Sequence, residues 1–170
     1  MIKYAAFLLP FLAFSLFFGC SDSAYKPLKT NQGLPLKTTD GKTIILKKTV
    51  DGFFYDNKSL LLVFLTTSCV PCNAQIPHLN NLQNRYSDNL NIVSVILENK
   101  PLEEVQSFLE KKKVEFAATL DKNNFKLSQA LGNVTSAPYM VVYDKEGAYV
   151  TDYTGAVPEE MIEADLKRIF

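Results

Sequence analysis

The sequence predicts a single α/β domain with a central sheet covered by helices on both faces, and three observations predict it. Apolar runs of strand length alternate with stretches of helical periodicity from residue 60 to the C-terminus. Two of those runs, Leu60 to Leu65 (LLLVFL) and Asn91 to Leu97 (NIVSVIL), are almost continuously apolar, as strands covered on both sides are. A chain of 170 residues that is 47% hydrophobic can also bury such a core without disulfide staples. Composition excludes several other classes. Lys+Arg and Asp+Glu both number 18, so no basic stripe for nucleic acid is implied. Seven Gly and eight Pro argue against collagen-like and low-complexity chains, and no segment recurs at a period of roughly 20–50 residues.

The first residues stand apart from this pattern. Lys3 precedes an uncharged apolar run from Tyr4 to Phe18, followed by Gly19-Cys20 and the polar Ser21-Asp22-Ser23. A positive start, an apolar middle and a small residue at the cut make a secretory signal. At about 15 residues the run falls short of the ~20 that a helix needs to cross a bilayer. Cleavage after Gly19 leaves Cys20 at the mature N-terminus, which resembles the lipobox of bacterial lipoproteins, where this cysteine carries the lipid. Phe17 and Phe18 stand where Leu and a small residue are usual. An uncleaved anchor and plain secretion are the alternatives, and all three export the domain to a compartment where disulfides persist. The expected division is therefore a lipoprotein-type signal over 1–19, lipidated Cys20 and a polar tether over 20–33, and the folded domain over 34–170.

Within the domain, Asp40-Gly41 separates LPLKTT from KTIIL, a strong hairpin signal. Asp51 to Lys58 reads as a turn region leading into the LLLVFL strand. A helix follows to about Tyr86, with Ile76, Leu79, Leu82 and Tyr86 on one stripe. Asn91 to Leu97 is the next strand, and Pro101 opens a helix running to Lys113. Val114 to Leu120 reads as a short strand and Asn123 to Leu131 as a helix stopped by Gly132. Tyr139 to Tyr143 and Ala148 to Tyr153 flank a turn at Asp144 to Gly147, and Pro158 opens a last helix reaching Phe170. The predicted order is ββ-β-α-β-α-β-α-β-β-α.

The chemistry lies between the first buried strand and its helix, at Cys69-Val70-Pro71-Cys72. A C-x-x-C dithiol can close as a disulfide and reopen with little backbone movement. At a helix start, Cys69 meets unpaired N–H groups and the positive end of the helix dipole, both of which favour a thiolate. The thiolate is the nucleophile, and Cys72, one turn on and deeper, is placed to resolve a mixed disulfide. A structural zinc site would need four ligands, for which the only further candidates are His78 and Cys20. A purely structural disulfide would close so short a loop that it would stabilise little. The expectation is a dithiol site with no metal and no cofactor.

On these residues the chain resembles the thioredoxin-like family, specifically the membrane-tethered TlpA/ResA-type thiol:disulfide oxidoreductases. The resemblance runs from about Leu34 to Phe170. It is carried by the N-terminal hairpin, LLLVFLTTSCVPC, Pro77 five residues after Cys72, the TSAPYMVVYDKEG stretch and the insert before it. It implies a thioredoxin-like fold, a mixed central sheet flanked by helices with an added N-terminal β-hairpin. It implies further that Pro138 is the family's cis-proline and, with Ala137, Val70 and Pro71, lines the substrate groove. Pro77 would kink the long helix. Protein disulfides would be the substrates, apocytochrome c among them, and a DsbD/CcdA-type membrane transporter would return electrons. The protein would work on the periplasmic side of a bacterial membrane, lipid-anchored. Ser21 after Cys20 does not favour inner-membrane retention by the usual enterobacterial sorting rule.

The departures from the family pattern are specific. Ser68 replaces the Trp that many relatives place before the first cysteine. Gln75 stands where ResA-type proteins have a Glu thought to tune cysteine titration, and Val63 where thioredoxins have a buried Asp. His78 reads as a solvent-facing residue, and Lys111-Lys112-Lys113 as a solvated helix end. The spacing and the lack of a distant His argue against copper delivery, and peroxidase relatives use a lone cysteine in another motif. The rival from a different class is a non-enzymatic thioredoxin-fold lipoprotein that binds partners with its dithiol idle.

Overall fold

The structure, a computed structural model, describes residues 27–170. The signal segment, Cys20 and the tether up to residue 26 lie outside the described residues. Two sheets form. The first is antiparallel, in the order β1 (Gly33–Lys37), β2 (Thr43–Lys48), β3 (Phe53–Phe54). The second has five strands in the order β6-β5-β4-β7-β8: β4 is Ser59–Leu65, β5 Leu90–Ile96, β6 Ala117–Thr119, β7 Tyr139–Tyr143 and β8 Tyr149–Thr154. Strands β4, β5 and β6 are parallel, while β7 runs antiparallel to both of its neighbours, β4 and β8, so the sheet is mixed. The helices are α1 (Val70–Arg85), α2 (Leu102–Lys111), α3 (Lys122–Ala130) and α4 (Glu159–Leu166).

Strand β4 is buried along its whole length because each of its faces has its own cover. Leu61, Val63 and Leu65 point to one side, where α1 brings Ile76, Leu79 and Leu82, α2 brings Val105, and α4 brings Ile162 and Leu166. Leu60, Leu62 and Phe64 point to the other, where they meet Leu34, Leu36, Ile44, Leu46 and Phe53 of the small sheet and Leu127 of α3. Each such side chain contributes about 1.5–3 kcal/mol when fully buried. Strands β1 and β2 alternate buried and exposed residues, because their far face meets solvent.

The small sheet is larger than a hairpin. Phe53 and Phe54, within the segment that reads as a turn from sequence, pair with Lys48 and Lys47. Two residues are too short to show a period, but Phe53 is 1% exposed, and that burial holds the strand in place. Pairing also begins ahead of Leu34: the Asn31 amide donates to the Lys48 carbonyl, and the Lys48 amide to that of Gln32. The β1–β2 turn has Gly41 at φ +88, a conformation that costs glycine little. The Thr39 amide donates to the Ala118 carbonyl and the Leu120 amide to that of Lys37, stitching this end of the small sheet to the edge strand β6. On the opposite side, a Cβ at Gly147 would come within 2.7 Å of the Thr49 side chain, so the β7–β8 turn can approach the small sheet only as glycine. There Thr49 donates its hydroxyl to the Gly147 carbonyl at 2.6 Å.

The last helix ends at Leu166, short of Phe170, whose ring packs on Tyr86 at 5.1 Å. Glu163 of α4 accepts hydrogen bonds from Tyr86 and Arg85 beside α1's end, and Lys167 lies 3.2 Å away. These donors hold its carboxyl down to about 2.

Candidate active site

The dithiol sits where β4 gives way to α1, at the carboxyl end of the central parallel strands. Cys69 is the N-cap residue of α1, in extended backbone conformation, and its Sγ accepts the Cys72 amide at 3.1 Å. A helix start leaves its first amides without intrahelical partners, and here a sulfur takes one of them. Val70 and Pro71 follow as the first helical residues, where proline's missing N–H does no harm. Cys69 and Cys72 are joined by a disulfide, with Cα atoms 5.2 Å apart. Their environments differ. Cys72 is 1% exposed and belongs to the core with Ile76 and Leu79, whereas Cys69 is half-buried. Val70 is 76% exposed and Pro71 is also open, so an apolar rim stands beside the outer sulfur.

The opposite wall comes from the start of β7. The Ala137–Pro138 peptide is cis, and the Ala137 carbonyl oxygen lies 3.3 Å from Cys69 Sγ. Pro138 is buried and Ala137 half-buried. The structure therefore brings the Ala137–Pro138 segment against Cys69, the first residue of the Cys69-Val70-Pro71-Cys72 motif. The Gly155 amide, just past β8, donates to the Pro138 carbonyl at 2.8 Å. Two residues on, the Val157 amide donates to Gln75 Oε1 at 2.8 Å. Gln75 is thus not on the helix surface: it is 1% exposed and fastens α1 to the loop that supports Pro138. Its Nε2 has no hydrogen-bond partner among the described residues.

His78 is exposed, with Nδ1 3.4 Å from Glu159 of α4. Helix α1 continues through Pro77, which cannot supply the donor that the Asn73 carbonyl would otherwise receive. Lys111 to Lys113 close α2.

Three residues at this end of the sheet were not singled out from sequence. Glu98, just past β5, accepts the Thr67 amide through Oε2 at 2.7 Å and the Thr67 hydroxyl through Oε1 at 3.2 Å. Lys100 Nζ donates to Thr67 Oγ1 at 2.6 Å. The signal was available: both charged residues lie within four positions of the end of a buried strand, and sites on open α/β sheets gather at the carboxyl ends of strands.

Residues 23–169 match the Redoxin family. The chain is 25% identical over 134 residues to the thiol-disulfide oxidoreductase ResA of Halalkalibacterium halodurans, covering 79% of this chain and 72% of that one. It is 26% identical over 131 residues to ResA of Bacillus thuringiensis, covering 76% and 70%. Among solved structures, a putative thiol:disulfide interchange protein DsbE from Chlorobium tepidum superposes with a TM-score of 0.67 at 20% identity, over 86% of this chain and 99% of that one. StoA from Bacillus subtilis does so with 0.64 at 21%, over 80% and 97%. The two structures bear on the fold, which is thioredoxin-like. The chain belongs to the Redoxin family, and it is an enzyme of the thiol-disulfide oxidoreductase class.

Proposed function

We propose that the protein is an exported, lipid-anchored reductant of disulfides in other proteins, with Cys69 as nucleophile and Cys72 as resolving thiol. The observation that carries the assignment is the contrast between the two sulfurs: Cys69 caps α1 and is reachable, while Cys72 is sealed in the core. In the reduced form the Cys69 thiolate attacks one sulfur of a substrate disulfide. A mixed disulfide forms and the first substrate thiolate leaves, taking a proton. Cys72 then attacks Cys69 Sγ, the second substrate thiolate leaves, and the Cys69–Cys72 disulfide is the product. Two electrons pass to the substrate, and a membrane dithiol donor of the DsbD/CcdA type returns them. The exposed Val70 and Pro71 and the Ala137–Pro138 wall form the groove for an extended substrate segment, apocytochrome c cysteines among the candidates.

The purified domain should reduce insulin disulfides in the presence of dithiothreitol, and Cys69→Ser should abolish that turnover. A wild type with no turnover above the dithiothreitol background would overturn the reductase assignment.

Lys3, the apolar run Tyr4 to Phe18 and Gly19-Cys20 support division into a signal over 1–19, a lipid-bearing tether over 20–33 and a catalytic domain over 34–170. Growth with a palmitate analogue should label the full-length protein and leave Cys20→Ser unlabelled. An unlabelled wild type would exclude the lipid anchor.

A further inference from the structure

We infer that Glu98, Thr67 and Lys100 form a charge-balanced clamp that positions Cys69 and sets the pH at which it reacts, in place of the carboxylates missing at positions 63 and 75. Glu98, Lys100 and Thr67 are positioning residues, acting on the dithiol through the turn that carries it. The hydrogen bonds form one consistent chain. Lys100 can only donate, so Thr67 Oγ1 accepts from it and has its own proton free for Glu98 Oε1. The second carboxylate oxygen takes the Thr67 amide. Hydrogen bonds to ionised groups are about twice as strong as neutral ones, so this is the firmest attachment of the segment between β4 and α1. The turn has two further ties, the Cys69 amide to the Thr66 carbonyl at 3.3 Å and the Leu97 amide to that of Leu65 at 3.2 Å.

Position and charge reach Cys69 together. Thr67 precedes it by two residues, so the Glu98 carboxylate lies within about 10 Å of the Cys69 backbone. Glu98 is largely shielded from solvent, with 13% of its side chain exposed, and Lys100 Nζ stands 3.7 Å from Oε1. With both present their fields at the sulfur largely cancel; with one removed the other acts alone. Among the other charged groups nearby, Glu103, Glu104 and Lys111 of α2, and Lys112 just past its end, share a cleft with Thr67 and contribute both signs. On α1 there is no acidic residue in the first turn, and His78 faces Glu159 of α4. Tyr139, next to Pro138 on β7, lies beside Asp152 of β8. None of these is changed in the variants below.

The inference rests on Cys69 being the reactive thiol, so the experiment tests the two separately. Iodoacetamide alkylation of the reduced domain is followed across pH 5–10, with the modified cysteine located by peptide mass. If Cys72 is modified first in the wild type, the assignment of Cys69 fails. If Cys69 is modified first, Glu98→Gln should lower the midpoint of its curve and Lys100→Met should raise it, each by about half a pH unit. Thr67→Val should cut insulin reduction by about tenfold while Thr67→Ser keeps it, because a displaced nucleophile loses rate steeply. A clamp that served stability alone would lower melting temperatures and leave both midpoints where they are. Midpoints that overlay the wild type, or that move in the same direction, overturn the inference. The charge variants decide it even if Thr67→Val does not fold.

Discussion

Each face of the central sheet buries a hydrophobic cluster, but one fully buried amide on each is treated differently. On the face shared by the small sheet and α3, the buried amide of Asn124 is fully used. Its Nδ2 donates to the carbonyls of Ile96 and Thr119, and its Oδ1 accepts from the Thr119 hydroxyl. On the face covered by α1 and α4, the buried amide of Gln75 makes one bond, to Val157, and leaves Nε2 without a partner. Buried polar groups are nearly always paired; of the three residues with an unpartnered buried polar atom among the described residues, Asn73, Gln75 and Asn91, the first two lie on α1 within three residues of Cys72. Cys72, the inner sulfur, belongs to this second face. The first face closes the fold; the second closes it and also supports the site.

If that division holds, equal losses of core should have unequal effects on reactivity. Leu36→Ala removes a fully buried side chain on the small-sheet face, and Ile76→Ala does the same on α1, one turn past Cys72. Each should lose about 2–5 kcal/mol of stability, measurable by urea unfolding of the oxidised domain. At temperatures where both variants are fully folded, Ile76→Ala should alter the alkylation rate of reduced Cys69 several-fold, and Leu36→Ala should leave it within about twofold of the wild type. Equal changes in the two variants would break the comparison.

The same two faces differ in how much of them could be read from sequence. The strands LLLVFL and NIVSVIL and the stripe on α1 announce the sheet and its helix through periodicity, and C-x-x-C at the junction announces the chemistry. Pro138 is a different case, because a cis bond has no local pattern; only the family resemblance pointed to it, and the structure has it cis. The small sheet was legible as a hairpin through Asp40-Gly41, but its third strand was not, since Phe53 and Phe54 are held by packing against distant residues. Glu98, Thr67 and Lys100 escaped for a related reason. Their link joins residues 31 and 33 positions apart, and no single segment carries its signature. Gln75 stands out in the sequence as a departure from the family, yet its partner, the Val157 amide, is a backbone group 82 positions away and has no signature at all.

Gln75 gives the finest test of the comparison, because a carboxylate can be put there almost without change of shape. In Gln75→Glu one carboxyl oxygen keeps the bond from the Val157 amide, and the unpartnered Nε2 is removed. Below about pH 4.3 the new carboxyl holds its proton in the folded and the unfolded chain alike, and there fold and melting temperature should change little. Burial to the same 1% exposure disfavours the charged form, so this group should ionise well above the usual carboxylate range. Once ionised, on the helix that carries both cysteines, it should oppose formation of the thiolate. The pH–alkylation curve of Cys69 should then shift upward and gain a second inflection, since two interacting groups titrate as a pair. The wild type, with a neutral amide at this position, should show a single inflection. The sign of the stability change follows from the same shift: a group whose ionisation is raised on folding costs stability as pH rises past its unfolded value. Urea unfolding of Gln75→Glu should accordingly show stability falling relative to the wild type from about pH 4.3 upward. If the alkylation curves of the two proteins overlay from pH 5 to 10 while the stability difference develops as expected, Gln75 serves only to tie α1 to the Val157 loop. The polar exception on the second face would then be a feature of packing, and the Glu98 clamp would be left as the carboxylate closest in action to the dithiol.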